Sequence, residues 1–399
     1  MLRSRMRFGV FMAPFHPVAD NPTLSIERDR ELVEWLDRLG FDEAWIGEHH
    51  SAGYEIIASP ELFIADVAAR TRHIRLGTGV VSLPYHNPMM VADRMMLLDH
   101  LTRGRVMFGV GPGLLPSDAI MLGIDPRRQR DRMGEALGAI IPLLRGEVVT
   151  KKTDWFELRD ARLQLAPYSR PHLEIAVAAS VSPSGPRTAG RWGICMLSPA
   201  ATSQGGFSAL AHHWGICEET AREHGRTVDR GGWRIAGPVH VAESVRQARE
   251  DVKFGLGAWL YYFQKVVALP GVPEEGTVDE CLDAMIQGGF VVVGTPDDLI
   301  RQIERLEDQT GGFGAFLVTA HDWANRDATR RSYELIARYV MPRFQDSNAY
   351  TRRSMEWVQD NRAPFLGAAA QGMMEAIQKD AAERQQRAER AAAGEKGRP

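Results

Sequence analysis

Residues Ile74–Leu122 read IRLGTGVVSLPYHNPMMVADRMMLLDHLTRGRVMFGVGPGLLPSDAIML. A β-rich run ends in glycines, an apolar helix follows, and a second β-rich run ends in a second Gly/Pro-rich loop. Two strands joined through one helix make a βαβ unit, whose strands lie parallel. Glycines at the strand ends suggest backbone lying close against something bulky and planar.

Working outward, the same unit recurs. Apolar runs without polar alternation, the pattern of strands buried on both faces, occur at Phe8–Ala13, Asp42–Glu48, Ile74–Val81, Arg105–Val110, Leu173–Ala178, Ile194–Leu197, Trp233–Val241 and Phe313–Thr319. Helical stretches separate them. One runs from Pro22 to Leu39 and is closed by Gly40; others cover Pro60–Thr71, Pro88–Leu101, Asp131–Leu144, a stretch ending near Arg191, and Gly206–His224. Another begins near Glu243, and VGTPDDLIRQIERL (Val293–Leu306) reads as a helix with Thr295 as N-cap and Pro296 as its first residue. Eight strands alternating with helices predict an α/β fold of the closed (β/α)8 TIM type rather than an open doubly wound sheet. The rhythm breaks after the fourth strand, at Val148–Pro171, and after the seventh, at Trp259–Phe290, so both read as insertions. Residues 1–344 are expected to form the barrel. Residues 345–399, increasingly charged and Ala-rich, are expected to form a helical or partly disordered tail.

The 399 residues are 44% hydrophobic and 25% charged, with net charge −3 and a pI near 6.5. That balance suits a globular chain and argues against a nucleic-acid partner. Cys195, Cys217 and Cys281 are widely spaced with no CxxC pair, which points to neither a disulfide nor a metal framework and suits a reducing, cytoplasmic compartment. The opening MLRSRMRFGVFMAPF has a basic start, but its apolar run is too short for a signal peptide and meets Pro14 at once. No run approaches a membrane span.

In such a barrel, chemistry collects at the C-terminal ends of the strands. Those ends carry Phe15-His16, Glu48-His49-His50, Thr78-Gly79-Val80, the GVGPG run Gly109–Gly113, the turn Ala179–Gly185, Ser198 and His321-Asp322. Along an extended chain neighbouring side chains alternate, so at most one of His49 and His50 faces the mouth; a hydrogen-bonded structural histidine is the competing reading. A metal-dependent hydrolase would draw on His16 and His321-Asp322, but no HxH or HExxH spacing is present. GVGPG lacks the spacing of a dinucleotide fingerprint, and Pro112 removes an N–H that a phosphate cradle would use. Ser180, Ser182 and Ser184 stand before a helix, where hydroxyls and free N–H groups either bind an anion or simply cap the helix. His212-His213 falls mid-helix and reads as surface or core. No GxSxG elbow or P-loop occurs.

Together FDEAWIGEHH, LGTGVVSLPYHNP, ADRMMLLDHLTRGRVMFGVGPG, the serine turn before AGRWG, and VGTPDDLI resemble the bacterial luciferase-like flavin-dependent monooxygenases, from Phe8 to about Met341. The resemblance implies a (β/α)8 barrel that takes reduced FMN from a separate flavin reductase and uses O2, through a flavin C4a-hydroperoxide, to oxygenate a small apolar substrate such as a terpene or ketone. It implies a cis peptide at Gly79-Val80 against the flavin, with Thr78 and Gly111 beside it. It places His49 as the catalytic histidine, Ala179, Ser180, Ser182 and Ser184 at the phosphate, and Ser198 near the ring edge, with no metal. With an ordinary pKa near 6.5, His49 would exchange a proton at neutral pH. Where the luciferases carry an arginine near the phosphate this chain has Pro112, leaving Arg187, Arg191 or neutral donors for that task. The alternatives are a deazaflavin-dependent oxidoreductase on the same fold and a non-catalytic flavin-binding or assembly protein. A homodimer follows by family analogy.

Overall fold

The computed structural model describes residues 5–267 and 271–395. Eight parallel strands close into a barrel: β1 (Arg7–Met12), β2 (Glu43–Ile46), β3 (Arg75–Thr78), β4 (Val106–Gly111), β5 (Ile175–Ala178), β6 (Cys195–Ser198), β7 (Arg234–Val241) and β8 (Ala315–Thr319). Closure is visible in the register: β8 places Ala315 opposite both Arg7 of β1 and Arg234 of β7, and β7 in turn places Arg234 opposite Leu197 of β6. The expected barrel is therefore present.

Helices pack outside the barrel, and their ends follow local chemistry. Asn21 accepts from the N–H groups of Thr23 and Leu24 to start helix Pro22–Leu39, and Gly40, at φ 81°, ends it. Asn87 caps Pro88–Leu101 in the same way. The helix expected in the stretch from Val293 is present, with Thr295 as its N-cap and Pro296 as its first residue, and it runs on to Thr310; Val292–Gly294 just before it is a short strand paired with β7. The reason is that Val291, Val292 and Val293 are buried β-branched residues, which favour a strand. The Asp298 carboxylate then accepts from the Thr295 N–H at 2.7 Å, setting the helix start just beyond them.

The first insertion is an antiparallel hairpin, Val149–Lys152 with Glu157–Ala161, closed by an edge-to-face contact between Trp155 and Phe156. The second carries helices Leu256–Lys265 and Val278–Gln287; Ala268–Pro270 of its VALPGVPEEG run lie outside the described residues. The chain forms two compact units, Met1–Gln345 and Asp346–Pro399. The second consists of helices Ala349–Asp360 and Arg362–Glu395. Among the described residues no helix is long and apolar enough to cross a membrane.

Inside the barrel the layers differ in kind. At the N-terminal end the fully buried Arg234 donates to Glu43 through Nε at 2.9 Å and Nη2 at 3.0 Å, and it also contacts Glu174. Arg7 joins Glu43 at 2.6 Å. Burial opposes ionisation of Glu43, but Arg234 and Arg7 outweigh it and hold the carboxyl at about 2. Above this ionic plug, Trp45, Met107, Leu197 and Leu317 fill the interior. Glycines make room for them. A Cβ on Gly77 would lie 2.5 Å from the Trp45 indole, and one on Gly9 would lie 2.8 Å from Leu317. The bulky planar object that Gly77 accommodates is thus the protein's own tryptophan.

Candidate active site at the mouth of the barrel

The interior stops being filled toward the C-terminal ends. Phe11, Ala13, Ala178 and Thr319 follow the inward alternation of their strands and are partly exposed, as is Val80 just past β3, whereas the outward Met12, Val177 and Val318 are buried. This end therefore opens to solvent, over a ring of mostly small side chains. Gly79-Val80 is a cis peptide in that ring. The Thr78 hydroxyl donates to Gly109 O at 2.7 Å and accepts from Gly109 N–H at 2.9 Å, locking β3 to β4 below the cis bond. The missing Cβ of Gly111 leaves space for Val80 Cγ2, which would otherwise lie 2.5 Å away.

His49 follows β2 and is 9% exposed. Its Nε2 lies 2.6 Å from Glu55 Oε2, and its Nδ1 lies 3.5 Å from Asp118 Oδ2. Neither contact has hydrogen-bond geometry, so Nδ1 and Glu55 Oε2 remain buried without a hydrogen bond. Burial alone would push the imidazole down. The two carboxylates outweigh it, Glu55 foremost, and push His49 up to about 10. This corrects the expectation of an ordinary histidine: at neutral pH His49 is an imidazolium. Asp118, in the short helix Pro116–Met121 beyond GVGPG, also accepts from His50 N–H at 3.2 Å and from Ser51 Oγ at 2.5 Å. Burial opposes its charge, yet His49 foremost, with Ser51 and the His50 N–H, keeps its carboxyl below the usual range.

His50 faces another way, as alternation requires. Its Nε2 and that of His86 both meet Glu48 Oε1, at 2.9 and 2.6 Å, and Glu48 Oε2 accepts from Ser82 N–H at 2.7 Å. Glu48 thereby ties the end of β2 to the segment just after the cis peptide. An aromatic wall completes the mouth: Tyr54 stacks on Phe15 at 4.7 Å and meets Tyr262 at 4.5 Å. Tyr262 comes from insertion helix Leu256–Lys265, whose start is pinned where Gly255 N–H donates to Trp323 O at 2.9 Å.

The remaining sequence candidates divide. Ser182 and Ser184 bring their hydroxyls to 2.8 Å at the head of helix Ser184–Trp192, and His213 fixes that turn, with Nε2 3.1 Å from Val181 O. Ser180 is partly exposed beside them, and Ala179 is buried, its N–H donating to Leu197 O. Arg187 and Arg191 are exposed. Ser198 does not face the mouth: Leu197 occupies the inward position, so the Ser198 hydroxyl turns outward and accepts from Trp233 Nε1 at 3.0 Å. This corrects its expected place at a ring edge, and the cause is strand parity. His16 is clamped between Asp322 at 2.7 Å and Asp29 at 3.0 Å, beside a crevice of only about 30 Å³. His321 stacks on Trp323 at 3.9 Å, with Nε2 3.1 Å from Val239 O. Those groups join helices and loops rather than converging on one point. Glu55, Asp118 and Tyr54 were not singled out from the sequence, although a carboxylate on the same loop as His49 was a usable signal.

The profile described as "Luciferase-like monooxygenase" matches residues 6–312. The chain belongs to the luciferase-like monooxygenase family. Within this family it is 52% identical over 340 residues to limonene 1,2-monooxygenase of Rhodococcus erythropolis, covering 85% of this chain and 87% of the relative. It is 49% identical to 4-hydroxyprotoasukamycin monooxygenase of Streptomyces nodosus subsp. asukaensis, covering 92% and 99%. Among solved structures it resembles the oxygenating constituent of 3,6-diketocamphane monooxygenase from Pseudomonas putida, a type II Baeyer–Villiger monooxygenase in complex with FMN. That match has a TM-score of 0.73 and 25% identity, covering 84% and 98%. Luciferase-like monooxygenases thus surround this chain in both sequence and fold.

Proposed function

We propose that the protein is an FMN-dependent monooxygenase that inserts one oxygen atom of O2 into a small apolar organic molecule, a terpene, ketone or similar compound, at the C-terminal mouth of the barrel. The observation that carries this reading is that the same C-terminal end of the barrel bears both a ring of small residues around Val80, Gly111 and Ala178 and a buried histidine, His49, held by Glu55 and Asp118. The residues suit a flavin. The buried, unpartnered His49 Nδ1, Tyr262 hydroxyl and Thr319 Oγ1 supply polar atoms to a ring system. Gly79, Val80 and Gly111 would bound its faces, and the turn Ser180, Ser182 and Ser184 at a helix start would hold its phosphate. Thr78 and Ala179 would act through the backbone they fix. Bound reduced flavin supplies the electrons that activate O2.

The chain's own part is to orient, exclude water and hold a proton. Phe15, Tyr54 and Tyr262 shield the mouth and offer an apolar surface to substrate. His49 holds a proton at Nδ1 that it offers to an oxygen atom in the mouth. A separate reductase would supply the reduced flavin; the described residues form one barrel and a helical tail, with no second α/β layer to bind a nicotinamide. Three unpaired cysteines support a reducing, cytoplasmic setting. The two relatives at 52% and 49% identity, both named monooxygenases, favour this reading over deazaflavin chemistry or a non-catalytic role.

The test is turnover with reduced FMN and 18O2 over a panel of terpenes and cyclic ketones, read by mass spectrometry. One labelled oxygen per product supports the proposal. Product formed by hydride transfer with no oxygen uptake would sink it.

A further inference from the structure

We infer that Glu55 is a positioning residue, which holds the His49 imidazole from its Nε2 side at the mouth of the barrel. The inference rests on the monooxygenase reading for its catalytic consequence. The geometry for it is independent. Glu55 and His49 leave the same loop, whose two sides are stapled by His49 N–H to Ile57 O at 3.1 Å and which is tied to the segment after β1 by His16 N–H to Tyr54 O at 3.1 Å. Stacking of Tyr54 on Phe15 fixes the loop tip between them. Glu55 Oε2 therefore lies 2.6 Å from His49 Nε2 by construction of the loop. Its partner there is the His49 imidazole, and the hydroxyl of the fully buried Tyr262 lies beside it. Side chains from the β2 loop and from the second insertion thus converge on one buried ion pair, which burial strengthens and which is costly to break.

The charged and titratable groups around His49 come from three elements. Glu55 and His50 lie on its own loop, Asp118 lies on the loop after β4, and Tyr262 lies on helix Leu256–Lys265. Asp118 already accepts from His50 N–H and Ser51, so its charge is shared among several donors. Glu55 is the nearer carboxylate, at 2.6 Å against 3.5 Å for Asp118. It is therefore the partner whose removal should move His49 most. Burial pushes the Tyr262 phenol up, with Glu55 and Asp118 adding to it, so Tyr262 stays a neutral donor across the working range.

The experiment is a pH titration of the His49 imidazole by 15N NMR in the full chain, wild type against Glu55→Gln and Glu55→Asp, with steady-state pH–rate profiles alongside. Removing the charge from Glu55 is expected to make His49 titrate about 1–3 pH units lower, and to bring the alkaline fall of kcat/KM down by the same amount. Glu55→Asp keeps the charge, withdrawn by one methylene, and should restore part of both; it also serves if Glu55→Gln does not fold. An unchanged His49 titration in both variants overturns the inference. So does a shifted titration with an unmoved pH–rate profile, because Glu55 would then set a charge the reaction does not use. A shifted titration in a protein that takes up no oxygen with any substrate supports Glu55's hold on His49 and overturns the monooxygenase reading instead.

Discussion

At the scale of single residues, two buried histidines carry charge for different ends. His49 holds its proton at an open mouth, and His16 holds one inside a helix-to-loop clamp. Replacing His49 by Gln should weaken reduced-flavin affinity by no more than about tenfold, the worth of one polar contact, because the ring of Gly79, Val80, Gly111 and Ala178 is untouched. Oxygenation should fall by roughly 100-fold or more, the usual loss for an acid–base group, as single-turnover assays would read. His16 affects stability. Burial disfavours its charge, but Asp29 and Asp322 outweigh that and push it up to about 10. The folded value lies above the ~6.5 of an unperturbed imidazole. The native state therefore binds the extra proton between those values, and the contribution is complete below about pH 6.5 and lost as pH rises through about 10. Urea midpoints of the wild type should decline over that window, and those of His16→Gln should decline less.

These two residues also show what the sequence makes readable. His49 at a strand's C-terminal end was legible from position alone. Its charge was harder to read: Glu55, on the same loop, was a usable signal, but Asp118 comes from a distant segment that no local pattern ties to His49. Ser198 fails for a related reason: a shift of one residue in strand parity turns a side chain from the mouth to the helix layer, and a short apolar run does not fix that parity.

At the scale of elements, the closed barrel was legible because the strands are short apolar runs and many of the helices between them begin at a Pro, Asn, Ser or Thr signal, as at Asn21-Pro22, Ser59-Pro60, Asn87-Pro88 and Thr295-Pro296. What the glycines accommodate was not. Gly77 opposes the Trp45 indole, and Gly109 opposes Thr78 O, which an added Cβ would approach to 1.9 Å. These close approaches make β2, β3 and β4 one interlocked unit below the cis peptide. Gly77→Ala should destabilise the protein by about 1–3 kcal/mol, the range for overpacking a core, measured by chemical denaturation. A smaller effect would mean that Trp45 can swing aside.

At the scale of the whole molecule, the barrel has an ionic end and an open end. Arg234, Glu43, Arg7 and Glu174 close the N-terminal end, where Arg234 is fully buried and also covers Trp45, its guanidinium 5.0 Å from the ring. Arg234→Leu leaves Glu43 with Arg7 and the Trp45 indole N–H and should cost about 3–5 kcal/mol, as breaking a buried pair does, while sparing flavin affinity at the far end. A loss of affinity larger than the loss of folded protein would show that the two ends are coupled.

The open end is the central claim, and anaerobic fluorescence titration with reduced FMN tests it most directly, wild type against the mouth-filling Ala178→Phe, with circular dichroism to confirm that both are folded. The account predicts saturation at about one flavin per chain for the wild type, the occupancy of a single site in a single barrel, and no saturable binding for the folded variant. A wild type that binds no reduced FMN, or a folded variant that binds it equally well, would contradict it.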